Sequence, residues 1–484
     1  MLLFAILICV CILFLYYKLR IPLNYWKDRG IPHIPANVII GNLGSVVFRK
    51  ESYNDLLHRT CVQYKKLRYF GFYNFSRPTL IVLDKELIKQ IFIKNFDHFT
   101  DHYDFMPKDV DKFWKKGLFS REGDDWHAMR STISPTFTTS TTFGINCDSL
   151  ENENNEFYLM GKEAFDFSGL KAFKFFASAI SPTLARLFGV KMFSNKIRDF
   201  FVRIVQETMV YRKKTGLYRP DVMHLLMEAQ KGQLTYEQDK DDLRSGFAGI
   251  DTQYFNKKSS TTKFFISDED IASQTLIFFF GSYDTVSLAL SNTIYELVAN
   301  IDAQDKLIRE VDSTLEKCNG KITYQSLFGM KYLDMVISES LRLHPATFLN
   351  RICVKPFVIE PVYPDEQRFT IEPGTEVMVS AYTSHTNPEY FPNPYKFCPE
   401  RFNDENKDNL DACTYFPFGI GPRHCIGNRF ALMIMKLMIV NLLAHFEIVP
   451  VEKTVIPMVA CKTEIRIKSA HDYWFGFKPR AKNL

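Results

Sequence analysis

A cysteine framed by glycines, just ahead of a long apolar run, is the feature of this sequence that most clearly points to chemistry. The stretch reads Phe418-x-x-Gly421-x-Arg423-x-Cys425-x-Gly427. A thiolate in such a frame can hold an iron. Glycines at 421 and 427 let the backbone approach a flat ligand and take angles closed to other residues. The apolar helix expected over 426–446 directs its positive N-terminal end at the sulfur, which favours the thiolate. Arg423 adds a cation able to meet a carboxylate on the ligand rim. Phe418 can cover the sulfur and exclude water. A buried structural cysteine in a glycine turn is the plainer alternative, but five positions at fixed spacing before a helix argue against it. A thiolate-ligated haem pushes electron density toward iron and favours O–O cleavage.

Four further groups of residues occur upstream. Trp126 and Arg130 stand at i, i+4 on an expected helix and share a face. Gly281-Ser282-Tyr283-Asp284-Thr285 lies inside an apolar run, where a carboxylate is costly unless it serves something. Glu339-Ser340-Leu341-Arg342 puts opposite charges at i, i+3, by itself an ordinary surface pair. Phe397-Cys398-Pro399-Glu400-Arg401-Phe402 comes next. With these groups in this order, the chain resembles the cytochrome P450 family of haem-thiolate monooxygenases over nearly its whole length. It is most like the insect microsomal members linked to detoxification, judging by Pro417-Phe418-Gly419-Ile420-Gly421-Pro422-Arg423 and Gly476-Phe477-Lys478-Pro479-Arg480.

The resemblance implies that Cys425 is the axial ligand to the iron of haem b (iron protoporphyrin IX). It implies that Trp126, Arg130 and Arg423 hold the haem propionates. Arg351 is a further candidate, although the stretch from Arg342 to Arg351 is one residue shorter than the usual pattern. His385 is either another rim contact or a structural loop histidine. Glu339, Arg342 and Arg401 would form a buried cluster behind the haem, one carboxylate between two guanidiniums, that keeps the cysteine loop in shape. Thr285 would hydrogen-bond dioxygen and Asp284 would relay protons, a general-acid role. The alternative for this pair is a helix kink in which Thr285 bonds back to its own helix. Ser282 stands where the family usually has glycine, and Val286 where it usually has a hydroxyl, so both bear on the shape of the oxygen groove. Phe119, Phe279, Thr347 and Phe348 are candidate pocket residues, a lining that would select bulky apolar substrates. Ordinary core packing is the equal alternative for each.

The resemblance implies a mainly α fold with a smaller β-rich region and a long central helix over the haem, and the sequence outlines the elements that must position these groups. Residues 66–75 and 79–83 read as paired strands around a turn at 76–78, followed by a helical stretch over 84–92. Residues 112–120 read as an aromatic loop that, in the family, roofs the substrate pocket. Ser267-Asp268-Glu269-Asp270 is a capping box that opens the central helix. That helix runs to about residue 300 and is apolar all round over 275–280, as a buried helix should be. The Glu339 helix, 331–343, is stopped by Pro345. A strand is expected over 375–380. Residues 382–414 turn to Pro, Asn and aromatics, matching an ordered meander of the family. Residues 246–262 read as a polar surface loop.

A chain of 484 residues carries a net charge of +5 without basic runs interleaved with aromatics, so nucleic acid is not an expected partner. A basic face could dock an acidic electron donor, and plain solubility accounts for the charge equally well. None of the ten cysteines forms a C-x-x-C pair or a zinc spacing, which argues for a reducing compartment. Residues 1–17 are almost wholly apolar, with Lys18 and Arg20 behind them. As a helix they span about 25 Å, close to the thin endoplasmic reticulum bilayer. A cleaved signal peptide would need a cationic start and a small-residue cleavage site, and both are missing. The expectation is therefore an anchor over 1–20, a Pro-rich connector over 21–35 and one catalytic domain over 36–484. The positive-inside rule places that domain in the cytosol. Phe173, Phe175 and Phe176, interleaved with Lys171 and Lys174, suit a second shallow contact with lipid.

The resulting expectation is a monooxygenase of the endoplasmic reticulum membrane. It would insert one atom of dioxygen into a lipophilic substrate such as a xenobiotic, plant toxin, insecticide or endogenous lipid. Electrons would come from NADPH through a cytochrome reductase, with a cytochrome b-type protein as a second donor. One rival is a haem-thiolate isomerase or dehydratase, which needs no proton relay. The other is a truncated haem-binding variant without turnover. This last rival has a basis in the text. Ser134-Pro135-Thr136-Phe137 is family-like, yet 138–142 then runs straight into 143–150, whose family counterpart lies beyond two more helices. An internal deletion near 138–143 is thus expected. It would uncover about ten apolar side chains, each worth roughly 1.5–3 kcal/mol, against a net stability of about 5–15 kcal/mol.

Overall fold

A computed structural model of the chain describes residues 21–104, 106, 109–133, 155–165, 182–219, 221–231, 266–345 and 348–480. The expected anchor, the lipid contact at Phe173, Phe175 and Phe176, the junction near 138–143, the loop over 246–262 and the pocket candidate Thr347 lie outside the described residues.

Helix α1 (Tyr53–Gln63) opens on a capping box between Ser52 and Asp55. Strands β1 (Tyr69–Asn74) and β2 (Arg77–Val82) then pair antiparallel. The turn between them is Phe75-Ser76, one position earlier than the sequence suggested, with Phe75 at φ 56. Pro78 therefore lies in β2. Residues 112–116 form a short helix rather than a loop, because the Asp111 carboxylate caps the Trp114 N–H.

Helix α2 (Gly123–Ile133) carries Trp126 and Arg130. Helix α3 (Asn195–Thr215) packs on the central helix α4 (Asp268–Ala299). The expected capping box starts α4: Ser267 Oγ accepts from the Asp270 N–H at 3.2 Å, and the Asp270 carboxylate accepts from the Ser267 N–H at 3.0 Å. The 32 residues of α4 make a rod about 48 Å long. Helices α5 (Ile301–Lys317) and α6 (Lys331–Leu343) follow, and α6 stops two residues before Pro345 as its ring requires.

Beyond α6 come β3 (Leu349–Ile352), a small antiparallel pair β4 (Phe357–Ile359) and β5 (Phe369–Ile371), and β6 (Glu376–Val379). The main sheet has the order β1-β2-β6-β3. β6 runs parallel to β2 and antiparallel to β3, with Arg351 opposite Val377. Helix α7 (Asn428–His445) passes directly into β7 (Phe446–Pro450), which pairs with β8 (Phe475–Pro479). Two cores meet near the cysteine loop. One is helical, built from Leu297, Leu307, Leu333, Val336, Leu432 and Ile439 of α4 to α7. The other joins Trp26, Phe92, Leu349 and Val377 beneath the sheet.

Candidate active site

Cys425 reaches the site from a loop whose shape depends on glycine. The Cys425 N–H donates to the Phe418 carbonyl at 2.8 Å, closing the loop. Gly419 and Gly421 have φ values of 78 and 70. A Cβ on Gly421 would collide with the Phe92 carbonyl oxygen, so glycine is required there. Gly427, the N-cap of α7, has φ −94, which any residue can adopt. The expectation of a special backbone angle at Gly427 is thereby corrected. Its N–H serves another purpose. Cys425 has an exposed surface, open to the cavity described below; the protein packed around it raises its thiol above the ordinary pKa, and the Gly427 N–H and then the Arg130 charge pull it back. The cation acting on the sulfur is Arg130 rather than Arg423.

The sulfur faces a cavity bounded by α2, α4 and the start of α7. Its walls are mostly apolar, with Leu118, Ile277, Phe278, Val286 and Phe430 among them. Thr285 also faces it, across from Cys425. The Thr285 hydroxyl donates to the Gly281 carbonyl within α4, the bond back to its own helix that the plainer reading anticipated. Asp284 turns elsewhere. It is about a third exposed and pairs with Arg466, so it is not the deeply buried carboxylate that the apolar run implied.

One rim of the cavity is cationic. Trp126 and Arg130 both line it and are buried. Arg423 stacks over Trp126 at 4.1 Å and donates to the carbonyls of Thr100 at 2.8 Å and Arg121 at 2.7 Å. Arg351, on β3, stands just behind this rim and is 1% exposed. Its Nε has no hydrogen-bond partner among the described residues. Burial lowers Arg130 to about 10 and Arg351 to about 9. Burial, and then the charge of Arg351, lowers Arg423 to about 8, with Asp101 and Glu122 offsetting part of this. Guanidiniums stay charged in proteins, so three of them buried together favour an anion beside them. A flat apolar group bearing two carboxylates, with a metal at its centre facing Cys425, fits this arrangement. The residues therefore fit haem.

His102 and His424 complete the site, and no spacing in the sequence pointed to either. His102 lies flat against Phe119, with ring centroids 4.7 Å apart and planes 9° apart. Arg351 Nη1 is 3.2 Å from its Nδ1. Burial and the charges of Arg351 and Arg423 hold it well below the ordinary histidine range, so it is neutral. His424 is lowered to about 4 by burial and then Arg130.

Several expected site residues stand elsewhere. Phe418 is not among the residues lining the cavity. Its ring packs on the helical core instead. Phe279 packs on Phe201 and Tyr283, while its neighbours Ile277 and Phe278 turn to the cavity. Phe348 packs on Tyr53 at 5.3 Å. Of the described pocket candidates, Phe119 alone lines the cavity. His385 is a structural residue: its Nε2 accepts from the Phe416 N–H at 2.9 Å, and its carbonyl accepts from Arg342 at 2.8 Å.

Glu339, Arg342 and Arg401 meet in one charged cluster. Arg342 donates to both oxygens of Glu339, at 2.7 and 2.8 Å. Arg401 Nε donates to Glu339 at 3.2 Å, and the Cys398 N–H at 2.9 Å. Arg401 also donates to the carbonyls of Pro392 and Asn393. One carboxylate on α6 thus ties the 3-10 turn Pro399–Phe402 and the segment before it to the helical core.

The cytochrome P450 family model matches residues 32–141 and 138–473. Cytochrome P450 9e2 of Blattella germanica is 36% identical, with 94% of each chain covered. Probable cytochrome P450 9f2 of Drosophila melanogaster is 31% identical, covering 94% of this chain and 95% of that one. Cytochrome P450 3A25 of Mus musculus is 33% identical over 82% of each. The fold, the cavity and these likenesses agree, and the chain belongs to the cytochrome P450 family, whose members are haem-thiolate monooxygenases.

Proposed function

We propose that Cys425 is the axial iron ligand of haem b in this chain, and that Arg130, Arg351, Arg423 and Trp126 hold its propionates. The observation that carries this reading is the shared cavity. Among the described residues of its lining Cys425 is the one cysteine, in the loop just before α7, with the arginine rim beside it and Thr285 also in the lining. Haem b held by a thiolate supplies dioxygen cleavage and delivery of one oxygen atom to a substrate. The chain supplies the rest. The apolar walls exclude water and favour a lipophilic substrate, with Phe119, Ile277, Phe278 and Val286 as contacts. Thr285 presents a hydroxyl that can pass a proton once it leaves the Gly281 carbonyl. Asp284, next to it, exchanges protons with solvent. Electrons come from NADPH through a flavoprotein reductase, with a cytochrome b-type protein as a second donor. The expected anchor over 1–20 places the enzyme on the endoplasmic reticulum membrane, with the catalytic domain in the cytosol. The test is the carbon monoxide complex of the reduced protein. Its Soret band should be red-shifted as in a thiolate complex. Cys425→His should abolish that band and Cys413→Ser should leave it. A normal thiolate band in Cys425→His would overturn the assignment.

A specific observation favours a second reading, in which an internal deletion weakens haem binding. The two family matches meet and overlap at 138–141. The likeness to cytochrome P450 9e2 extends over 519 positions, more than the 484 residues of this chain. Leu437 and Met438 on α7 are 39% and 44% exposed, and Tyr283 on α4 is 45% exposed. An apolar face of this kind is what removal of two packing helices would leave.

A further inference from the structure

A row of polar side chains leads from the arginine rim into the main sheet. Its inner end is Glu376 on β6, which is 2% exposed. The strand register sets Thr79 of β2 opposite Glu376, and Asn350 of β3 opposite Met378. Asn350 therefore stands diagonal to Glu376 on the same face of the sheet. Glu376 Oε2 accepts from the Thr79 hydroxyl at 2.9 Å and from the Asn74 amide at 3.3 Å. Asn350 Nδ2 donates to the other oxygen, Oε1, at 3.1 Å. A carboxylate only accepts, so the amide cannot turn its oxygen toward Glu376. Asn350 Oδ1 is thereby left facing His102, 3.4 Å from its Nδ1. His102 stands here because β3 is an edge of the main sheet and Asp101 bridges to Ile352 across that edge.

The same nitrogen of His102 accepts from Arg351 Nη1 at 3.2 Å. A guanidinium only donates, and an amide oxygen only accepts. One nitrogen of a neutral imidazole cannot serve both. Paired with Arg351, Nδ1 offers its lone pair and the proton sits on Nε2. Paired with Asn350, Nδ1 carries the proton. We infer that Asn350, oriented by Glu376, is a positioning residue for the arginine rim: it offers His102 a second partner, so that Arg351 can leave His102 for a carboxylate. This rests on the reading of Arg351 as a propionate partner given under the proposed function. A carboxylate is the stronger acceptor for a guanidinium, and Arg351 Nε has no hydrogen-bond partner among the described residues. A ring nitrogen that faces protein groups and loses its partner is costly, and Asn350 Oδ1 removes that cost. The Phe119 ring stacked on His102 holds the imidazole plane, so the change is one of protons only. His102 releases one proton from Nε2 to solvent and takes one up at Nδ1, and its charge is the same before and after.

The test reads the His102 tautomer by NMR of histidine nitrogens in the full-length holoprotein, in its diamagnetic ferrous carbon monoxide form, with His102→Gln identifying the signals. The proton should lie on Nδ1. Asn350→Leu should move it to Nε2 and keep Arg351 on His102. Haem should then be lost faster, and its reduction potential should fall, because a cation beside the carboxylates favours the more negative reduced state. Glu376→Gln lets the Asn350 amide turn and should give a mixture of the two tautomers. Combining Glu376→Gln with Asn350→Asp exchanges carboxylate and amide between the two positions and should return the proton to Nδ1. A proton on Nε2 in the unaltered protein would overturn the inference, as would one that stays on Nδ1 in Asn350→Leu. Should Asn350→Leu not fold, a double variant that keeps the mixture of Glu376→Gln overturns it instead. A moved proton with unchanged potential and haem retention would overturn the positioning role while leaving the contact. If Arg351→Gln leaves potential and haem retention untouched, it is the reading of Arg351 that fails rather than that of Asn350.

Discussion

Glu339 shows how much one side chain holds at this site. Its carboxylate serves two guanidiniums and a backbone N–H, and neither it nor Arg342 is exposed at all. Removing one member of a buried pair leaves the other charges uncompensated, at a cost of about 3–5 kcal/mol. Glu339→Gln should therefore lower the unfolding free energy by about that amount and reduce haem incorporation. Denaturant unfolding and haem content per protein would check both. Glu400, in the same segment, pairs with Lys306 near the surface, with both side chains about half exposed. Glu400→Gln should change stability by no more than about 1 kcal/mol. Equal losses in the two variants would refute the claim that burial decides.

Among the elements, the irregular segment over 382–414 depends on polar groups set inside the protein. His385 lies in the short helix Ala381–His385, and burial followed by the Arg342 charge lowers it to about 3. The unfolded chain binds a proton on this histidine near pH 6.5, and the folded chain does not until about pH 3. The unfolded state therefore holds more protons across that window. Stability is full above pH 6.5 and falls as the pH drops, by about 1.4 kcal/mol per pH unit for one histidine. His424 and His102 act in the same direction. His385→Gln should flatten the acid limb of a plot of unfolding free energy against pH by one histidine's share. A limb of unchanged slope would show that His385 charges freely in the folded state.

For the whole molecule, the question is the uncovered face of α7. Ile434, Leu437, Met438 and Asn441 follow a helical spacing, and Leu437, Met438 and Asn441 are exposed while Ile434 is half-buried. Among the described residues α7 is also the one helix long and apolar enough to cross a membrane. Its other face is part of the helical core, with Leu432, Met435, Ile439 and Leu443 buried, so it is a core helix whose outer apolar stripe has no cover among the described residues. Restoring the two expected helices near 138–143 should cover this stripe, with up to roughly 1.5–3 kcal/mol from each newly buried apolar side chain. The restored protein should melt at higher temperature and carry more haem. Equal melting temperature and haem content in both proteins would overturn the proposed deletion as a cause of weak haem binding.

Features decided within one element were legible in the sequence. The Ser267 capping box, the stop of α6 before Pro345, and the shared face of Trp126 and Arg130 follow from local geometry that any helix imposes. The cysteine loop was legible because its glycines report a local backbone path, although only one of the two picked out, Gly421, uses a left-handed angle. What the sequence left open depends on which surfaces meet. The apolar middle of α4 looks alike on every side, so its text could not tell that Phe278 rather than Phe279 turns to the cavity. Phe348 is drawn to Tyr53, almost three hundred residues earlier. His102 joins Arg351 only because the chain before α2 bridges to β3 at Asp101 and Ile352. Asp284 meets Arg466 across 182 residues because a hairpin pinned to α1 and α4 brings it there. Short-range backbone rules act on neighbours along the chain, whereas the partner of a side chain is set by packing between distant elements, which only the tertiary structure decides.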